Sequence, residues 1–141
     1  MLTIKILSTA EISLLVNAAD DVFDNPVDEK LASEFLADPR HHIVAALDDG
    51  ELIGFASAVH YVHPDKPAEL WINEVGVAPS HQRHGVGKAI MKEMLRLGQE
   101  LGCVNAWLTT EKENEAANRL YKSAGGAISQ AIMYDFDFND E

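Results

Sequence analysis

The segment Gln82-Arg83-His84-Gly85-Val86-Gly87 has the residue types and spacing of a site that binds an anion. It follows the run Val75-Gly76-Val77-Ala78-Pro79, and a long amphipathic pattern starts at Val86. A strand, a glycine turn and a helix start, in that order, leave several backbone N–H groups without helical partners and aim them at one point. Glycines let a ligand approach the backbone closely. The chemistry predicted is phosphate binding; the competing reading is a turn that only joins strand to helix. No Gly-Lys-Ser/Thr of a Walker A loop follows, and the three-glycine dinucleotide fingerprint is missing, which weighs against both of those ligands.

Two further features fall in neighbouring elements. Asn114-x-x-Ala117-x-x-Leu120-Tyr121-x-x-x-Gly125 places Asn114 and Tyr121 about two helical turns apart, on one face. Glu74 is a lone carboxylate three residues before Val77, in a strand otherwise apolar or neutral. Strict alternation puts Glu74 on the face opposite Trp71, Asn73 and Val75. A β-bulge would reset that parity. Glu74 is therefore either a member of a structural ion pair or a base facing a site.

The elements that must hold these residues read as one α/β domain over 1–141. Residues 2–7 alternate as a strand. Ser8 and Thr9 can cap a helix with Ile12, Leu15, Val16, Ala19 and Phe23 on its apolar face, ended by Pro26. Asp28 can cap a second helix to about Ala37. Strands at 42–47 and 52–60 flank Asp48-Asp49-Gly50, a hairpin signal. A strand at 69–77 leads through the glycine turn to a helix ending near Leu101, with Val86, Ile90, Met94, Leu97 and Leu101 as its core stripe. A strand at 104–109, a helix at 114–124 and a last strand at 128–138 complete the order. The strand–helix–strand unit from 69 to 110 predicts two parallel neighbours.

Composition bounds the partners. The net charge of −12 argues against nucleic acid, and no apolar run could span a bilayer. The first residues turn polar too quickly for a signal peptide, so a cytoplasmic protein is expected. The single cysteine, Cys103, permits neither an internal disulfide framework nor a cysteine zinc cluster, and it reads as buried filler. His41-His42 has no second ligand pair at metal spacing, so no metal is expected. Acidity is uneven: residues 1–70 carry −9, residues 71–134 carry +1 and residues 135–141 carry −4. The flanks are either a solubilising surface or a site for a polycation.

Val77-x-Pro79 with Gln82-x-x-Gly85-x-Gly87, followed by the Asn114 to Gly125 motif, resembles the GNAT superfamily of acetyl-CoA-dependent N-acetyltransferases. The element order extends the resemblance to essentially the whole chain. It implies a single mixed sheet flanked by about four helices, with central parallel strands at 69–77 and 104–110 splayed around acetyl-CoA. The pyrophosphate is expected on the Gln82 turn, at the amides of Arg83, His84, Gly85, Val86, Gly87 and Lys88. The pantetheine is expected beside the backbone of Val75 and Val77. Asn114 either bonds the pantetheine arm or caps its helix. The resemblance places Tyr121 near the thioester sulfur as general acid. Gly126 departs from the family, which usually has a large apolar residue there.

The stretch His60 to Val77 is similar to the short class-I aminoglycoside 3-N-acetyltransferases, in which the position of Glu74 carries a carboxylate that contacts the reacting amine. That branch also has acidic residues on its terminal strand, matching Asp135 or Asp137. The expected reaction is direct attack by a primary amine of an aminoglycoside-like polycation, with Glu74 as base and Tyr121 as acid. Acceptor contacts are expected from Asp24, Asp28, Trp71, Asn73, Glu74, Glu111, Asp135 and Asp137. A polyamine, a peptide N-terminus, a lysine, or a role as a non-catalytic CoA sensor are the alternatives. A homodimer is compatible with the resemblance, and no motif decides it.

Overall fold

The structure is a computed structural model and describes residues 1–139. Strands β1 (Leu2–Ile6), β2 (His41–Asp48), β3 (Glu51–Tyr61), β4 (Glu69–Val77) and β5 (Ala106–Trp107) form one sheet in chain order. Helices α1 (Ile12–Val16), α2 (Glu29–Ala37), α3 (Val86–Glu100) and α4 (Glu115–Ser123) flank it. Strands β1 to β4 pair antiparallel; β4 and β5 pair parallel, with α3 as the crossover between them. That is the expected mixed sheet with its parallel pair, although β5 ends the sheet instead of lying inside it.

The middle of the sheet is buried on both faces, which explains the continuous apolar runs at 43–47 and 52–58. Neighbouring residues of β3 show which helices cover which face. A Cβ at Gly54 would lie 3.0 Å from Ile90 and 3.2 Å from Val86, so that face meets α3. Phe55 points the other way and stacks on Phe23 at 4.1 Å, on the side of α1 and α2.

Three expectations change. The helix from Ser8 toward Phe23 is shorter than its apolar period suggests. Ser8 and Glu11 form a reciprocal capping box, but α1 ends at Val16. The chain then crosses β3, with the Ala19 amide donating to the Leu52 carbonyl at 2.9 Å. Val22 is thus buried and Phe23 half-buried from a loop, and tertiary contacts override the helical period. The strand expected at 104–109 pairs with β4 at only two positions. The last expected strand, 128–138, does not form.

At the end of α4 the Gly126 amide donates to the Tyr121 carbonyl and the Gly125 amide to that of Lys122, each at 3.0 Å. Gly125, at φ 97°, takes the left-handed position of this helix stop. A Cβ at Gly126 would come within 3.0 Å of the Tyr121 carbonyl oxygen, so the departure from the family pattern suits the turn. Beyond it residues 127–139 are exposed and have no ladder partner among the described residues, Asp135 and Asp137 included. Ile128, Ile132, Tyr134, Phe136 and Phe138 are 74–96% exposed. Each forgoes about 1.5–3 kcal/mol of burial.

Gly76 holds the 17–28 loop against the sheet. A Cβ there would lie 2.6 Å from the Val22 carbonyl oxygen and 3.0 Å from the Phe55 ring. Gly76→Ala should destabilise the protein by about 1–3 kcal/mol through overpacking, visible as a lower urea midpoint with an unchanged slope. An unaltered midpoint would show that the loop is not packed this way.

Candidate active site

Strand β4 organises the site because its two edges are used differently. It pairs with β3 from Glu69 to Val77, whereas β5 matches only Leu70 and Trp71. From Ile72 onward, the β5 side of the strand has no ladder partner among the described residues. Backbone groups left open in this way need another partner, and an extended polar chain such as pantetheine can provide one.

The register also slips inside β4. Ser57 is opposite Glu74 and Ala58 is opposite Ile72, so Asn73 is the extra residue of a bulge. Ser57 and Val59 are two apart on β3 and face the same way, and they pair with Glu74 and Trp71. The bulge therefore brings Glu74 and Trp71, three apart in sequence, to one face. Asn73 is held by its Oδ1, which accepts from the Ser57 hydroxyl at 3.0 Å.

On this face is a cavity of about 450 Å³ between the sheet, α2 and the 17–28 loop. Its walls include Phe23, Phe35 and Phe55, with Ser57 and the carboxylates of Asp24, Asp28 and Glu74. No lysine, arginine or histidine lines it. Partial burial, and next the negative charge of Asp24, push the Glu74 carboxyl above the usual carboxylate range. Asp28 is fixed in place by capping α2, accepting from the Leu31 amide at 2.9 Å.

The glycine turn lies at the other side of β4. The Gln82 side chain donates to the Val77 carbonyl at 3.0 Å and ties the turn to the strand. That bond occupies one of the backbone groups expected to serve the pantetheine. Arg83 takes φ 67° and Gly85 φ 77°, and Gly85 is the residue at the start of α3. No side chain caps α3, and a Cβ at Gly85 would meet nothing within 4 Å. An uncapped helix N-terminus fits a pyrophosphate. Arg83, His84 and Lys88 are exposed around it, and Val86 is buried as an anchor. Gly87 packs closely on α4: a Cβ there would lie 3.1 Å from a terminal methyl of Leu120.

That contact brings α4 to the start of α3. Tyr121, next to Leu120, packs against the core, and burial raises its phenol above the ordinary value. It is not part of the cavity wall around Glu74. Asn114 caps α4, its Oδ1 accepting from the Ala117 amide at 3.0 Å, so the structure favours the capping alternative for that oxygen.

Of the residues expected to contact an acceptor, Asp24, Asp28 and Glu74 share the cavity and Asn73 joins it through Ser57. Trp71 lies on the same face but outside the cavity wall, stacked on Trp107 at 5.6 Å, whose indole N–H donates to the Tyr61 hydroxyl. Glu111 is exposed in the loop before α4 and takes no part in the cavity. Asp135 and Asp137 are on the exposed tail, which forms no strand, and this corrects their placement on a sheet strand. Sequence reasoning missed Ser57 and Trp107. Ser57 had a signal, as the one serine in an apolar strand; Trp107 read only as part of a strand.

Comparison with known proteins gives the same architecture. The family model described as acetyltransferase (GNAT) family matches residues 12–125. The N-alpha-acetyltransferase RimI of Mycobacterium tuberculosis is 32% identical over 104 residues, which is 74% of this chain and 63% of that protein. The chain thus spans somewhat less than two thirds of that relative's length. A solved aminoglycoside acetyltransferase, meta-AAC0020 from an uncultured soil metagenomic sample, in complex with sisomicin, superposes with a TM-score of 0.84 at 17% identity, covering 97% of this chain and 96% of its own. AAC(6')-Iy in complex with the bisubstrate analog CoA-S-monomethyl-acetylneamine superposes with a TM-score of 0.81 at 20% identity, covering 97% and 98%. With the family model covering most of the chain and the splayed β4–β5 pair in place, this protein belongs to the GNAT family of acetyltransferases.

Proposed function

We propose that the chain transfers an acetyl group from acetyl-CoA to a primary amine of an aminoglycoside-like polycation. The observation that carries this is the cavity before Glu74, which has three carboxylates, aromatic walls and no cationic side chain. Partly desolvated ammonium–carboxylate contacts contribute about 1.5–3 kcal/mol each, so a ligand with several ammonium groups gains most from such a wall. Two solved structures of the same fold are aminoglycoside acetyltransferases by name, which supports the reading without deciding which amine reacts. The likeness to RimI favours a second reading, a peptide α-amine as acceptor.

Acetyl-CoA, held by the Gln82–Lys88 turn and the open side of β4, supplies an acetyl group activated as a thioester. Glu74 takes the proton that the acceptor ammonium must lose before its nitrogen can attack. A carboxyl raised by burial and by Asp24 retains that proton better than an ordinary one. Tyr121, kept protonated by its burial, donates a proton to the departing sulfur.

Assays of thiol release with gentamicin, spermidine and basic peptides test the acceptor. Turnover with gentamicin is expected; turnover with peptides alone would establish the second reading, and CoA binding without turnover would leave a sensor. Glu74→Gln and Tyr121→Phe should each lower kcat by about 10²–10⁴-fold. Unchanged kcat would remove either residue from the reaction.

The pH profile of kcat/KM has a required sign. Glu74 must be ionised to accept a proton, so activity falls with falling pH, with a midpoint above the ordinary glutamate value of 4.5. Asp24→Asn removes a charge that raises Glu74 and should move this acid limb to lower pH. A midpoint that stays in place would separate Asp24 from Glu74. The acceptor KM should rise with added salt as attraction to the cavity is screened. A salt-independent KM would contradict the electrostatic account.

A further inference from the structure

We infer that Trp71 and Trp107 form a second part of the acceptor site, a platform for an ammonium-bearing ring next to the group that reacts at Glu74. The inference rests on the proposed polycationic acceptor. Its first observation is the pair itself. The two indoles stack with ring centroids 5.6 Å apart and planes 15° apart. Trp71 is 37% exposed and Trp107 39%, so the stack keeps free surface. Tryptophan is highly buried on average, whereas an open indole offers the negative face of its ring to a cation.

The second observation is how the pair is held. The Trp107 indole N–H donates to the Tyr61 hydroxyl at 3.1 Å. Tyr61 meets the His63 ring edge-on, with centroids 5.0 Å apart. The Nε2 of His63 lies 2.6 Å from a carboxylate oxygen of Glu69, which is opposite Tyr61 in the β3–β4 ladder. The platform is therefore tied to both strands and to the loop between them. Rings fixed before a ligand arrives lose little freedom when it binds.

The third observation, the location of the pair, selects the occupant. Trp71 is opposite Val59 and Glu74 is opposite Ser57. The two side chains are thus two strand positions apart on one face, about 7 Å. Trp107 is opposite Trp71, at the last rung before β4 and β5 separate. The platform continues the face that carries Asp24, Asp28 and Glu74 around the cavity. A ligand with one amine at Glu74 carries its neighbouring ring over the indoles. A neutral apolar ring gains nothing from the carboxylates beside it, whereas an ammonium-bearing ring is attracted by both surfaces. A small monoamine fills only the cavity.

Trp71 and Trp107 are the two tryptophans of the chain, so intrinsic fluorescence reads this pair alone. Gentamicin, titrated without acetyl-CoA, should change the fluorescence saturably, and ethylamine over the same concentrations should not. Trp107→Ala should raise the gentamicin KM about 3–30-fold and leave the acetyl-CoA KM in place, with Trp107→Phe showing a smaller rise. Circular dichroism checks that both variants are folded. A fluorescence response without acetylation of gentamicin would keep the platform and remove the proposed reaction. Acetylation with silent tryptophans would keep the reaction and overturn the platform. An equal rise in the KM of acetyl-CoA would also overturn it, marking the pair as packing at the splay. So would tryptophans that acrylamide fails to quench in the free protein, since the pair would then be covered.

Discussion

Everything at this site depends on how β4 is paired. A strand hydrogen-bonded along both edges would close the sheet and leave no place for a ligand. Here β3 matches β4 along its length while β5 leaves it after Trp71. The strand is held rigidly from one side and open on the other. Backbone polarity that cannot be satisfied internally becomes a binding surface, because an unpaired group shielded from water costs about as much as a lost hydrogen bond. The bulge at Asn73 belongs to the same arrangement. It lies where β4 changes from paired on both edges to paired on one, and it turns Glu74 toward the cavity.

The two sides of β4 differ in charge. The α3 side presents an uncapped helix start with Arg83, His84 and Lys88 around it, suited to an anion. The α1–α2 side presents Asp24, Asp28 and Glu74 without a compensating cation, suited to a cation. Gly76 and Gly87 keep the neighbouring elements close to the strand and the turn, since a Cβ at either would press on Val22 or Leu120. Packing and electrostatics act together here: the loop that supplies Asp24 is positioned by Val22 and Phe23.

The glycine turn and the helix after it were legible in the sequence because their signals are local: glycines at fixed spacing, a proline before them and an apolar period behind. The hairpin, the two caps at Ser8 and Asp28 and the α4 motif were legible for the same reason. The first helix was not. Its apolar residues satisfy a helical period, yet Val22 and Phe23 reach the core from a loop anchored on Leu52. Nor was the state of the last strand, whose alternation is present but whose neighbour is missing.

The sequence by itself determined the family, the glycine turn and the presence of one carboxylate in a strand that otherwise avoids charge, since each is written in residue types over short spans. Only the tertiary structure decided which way that carboxylate points. Alternation alone turns Glu74 away from the face of Trp71, and one extra residue opposite Ser57 and Ala58 turns it back. A bulge is a property of two strands in register, and no single segment encodes it. The same is true of the cavity, whose acidic wall is assembled from residues 24, 28 and 74, brought together by a loop, a helix cap and a strand.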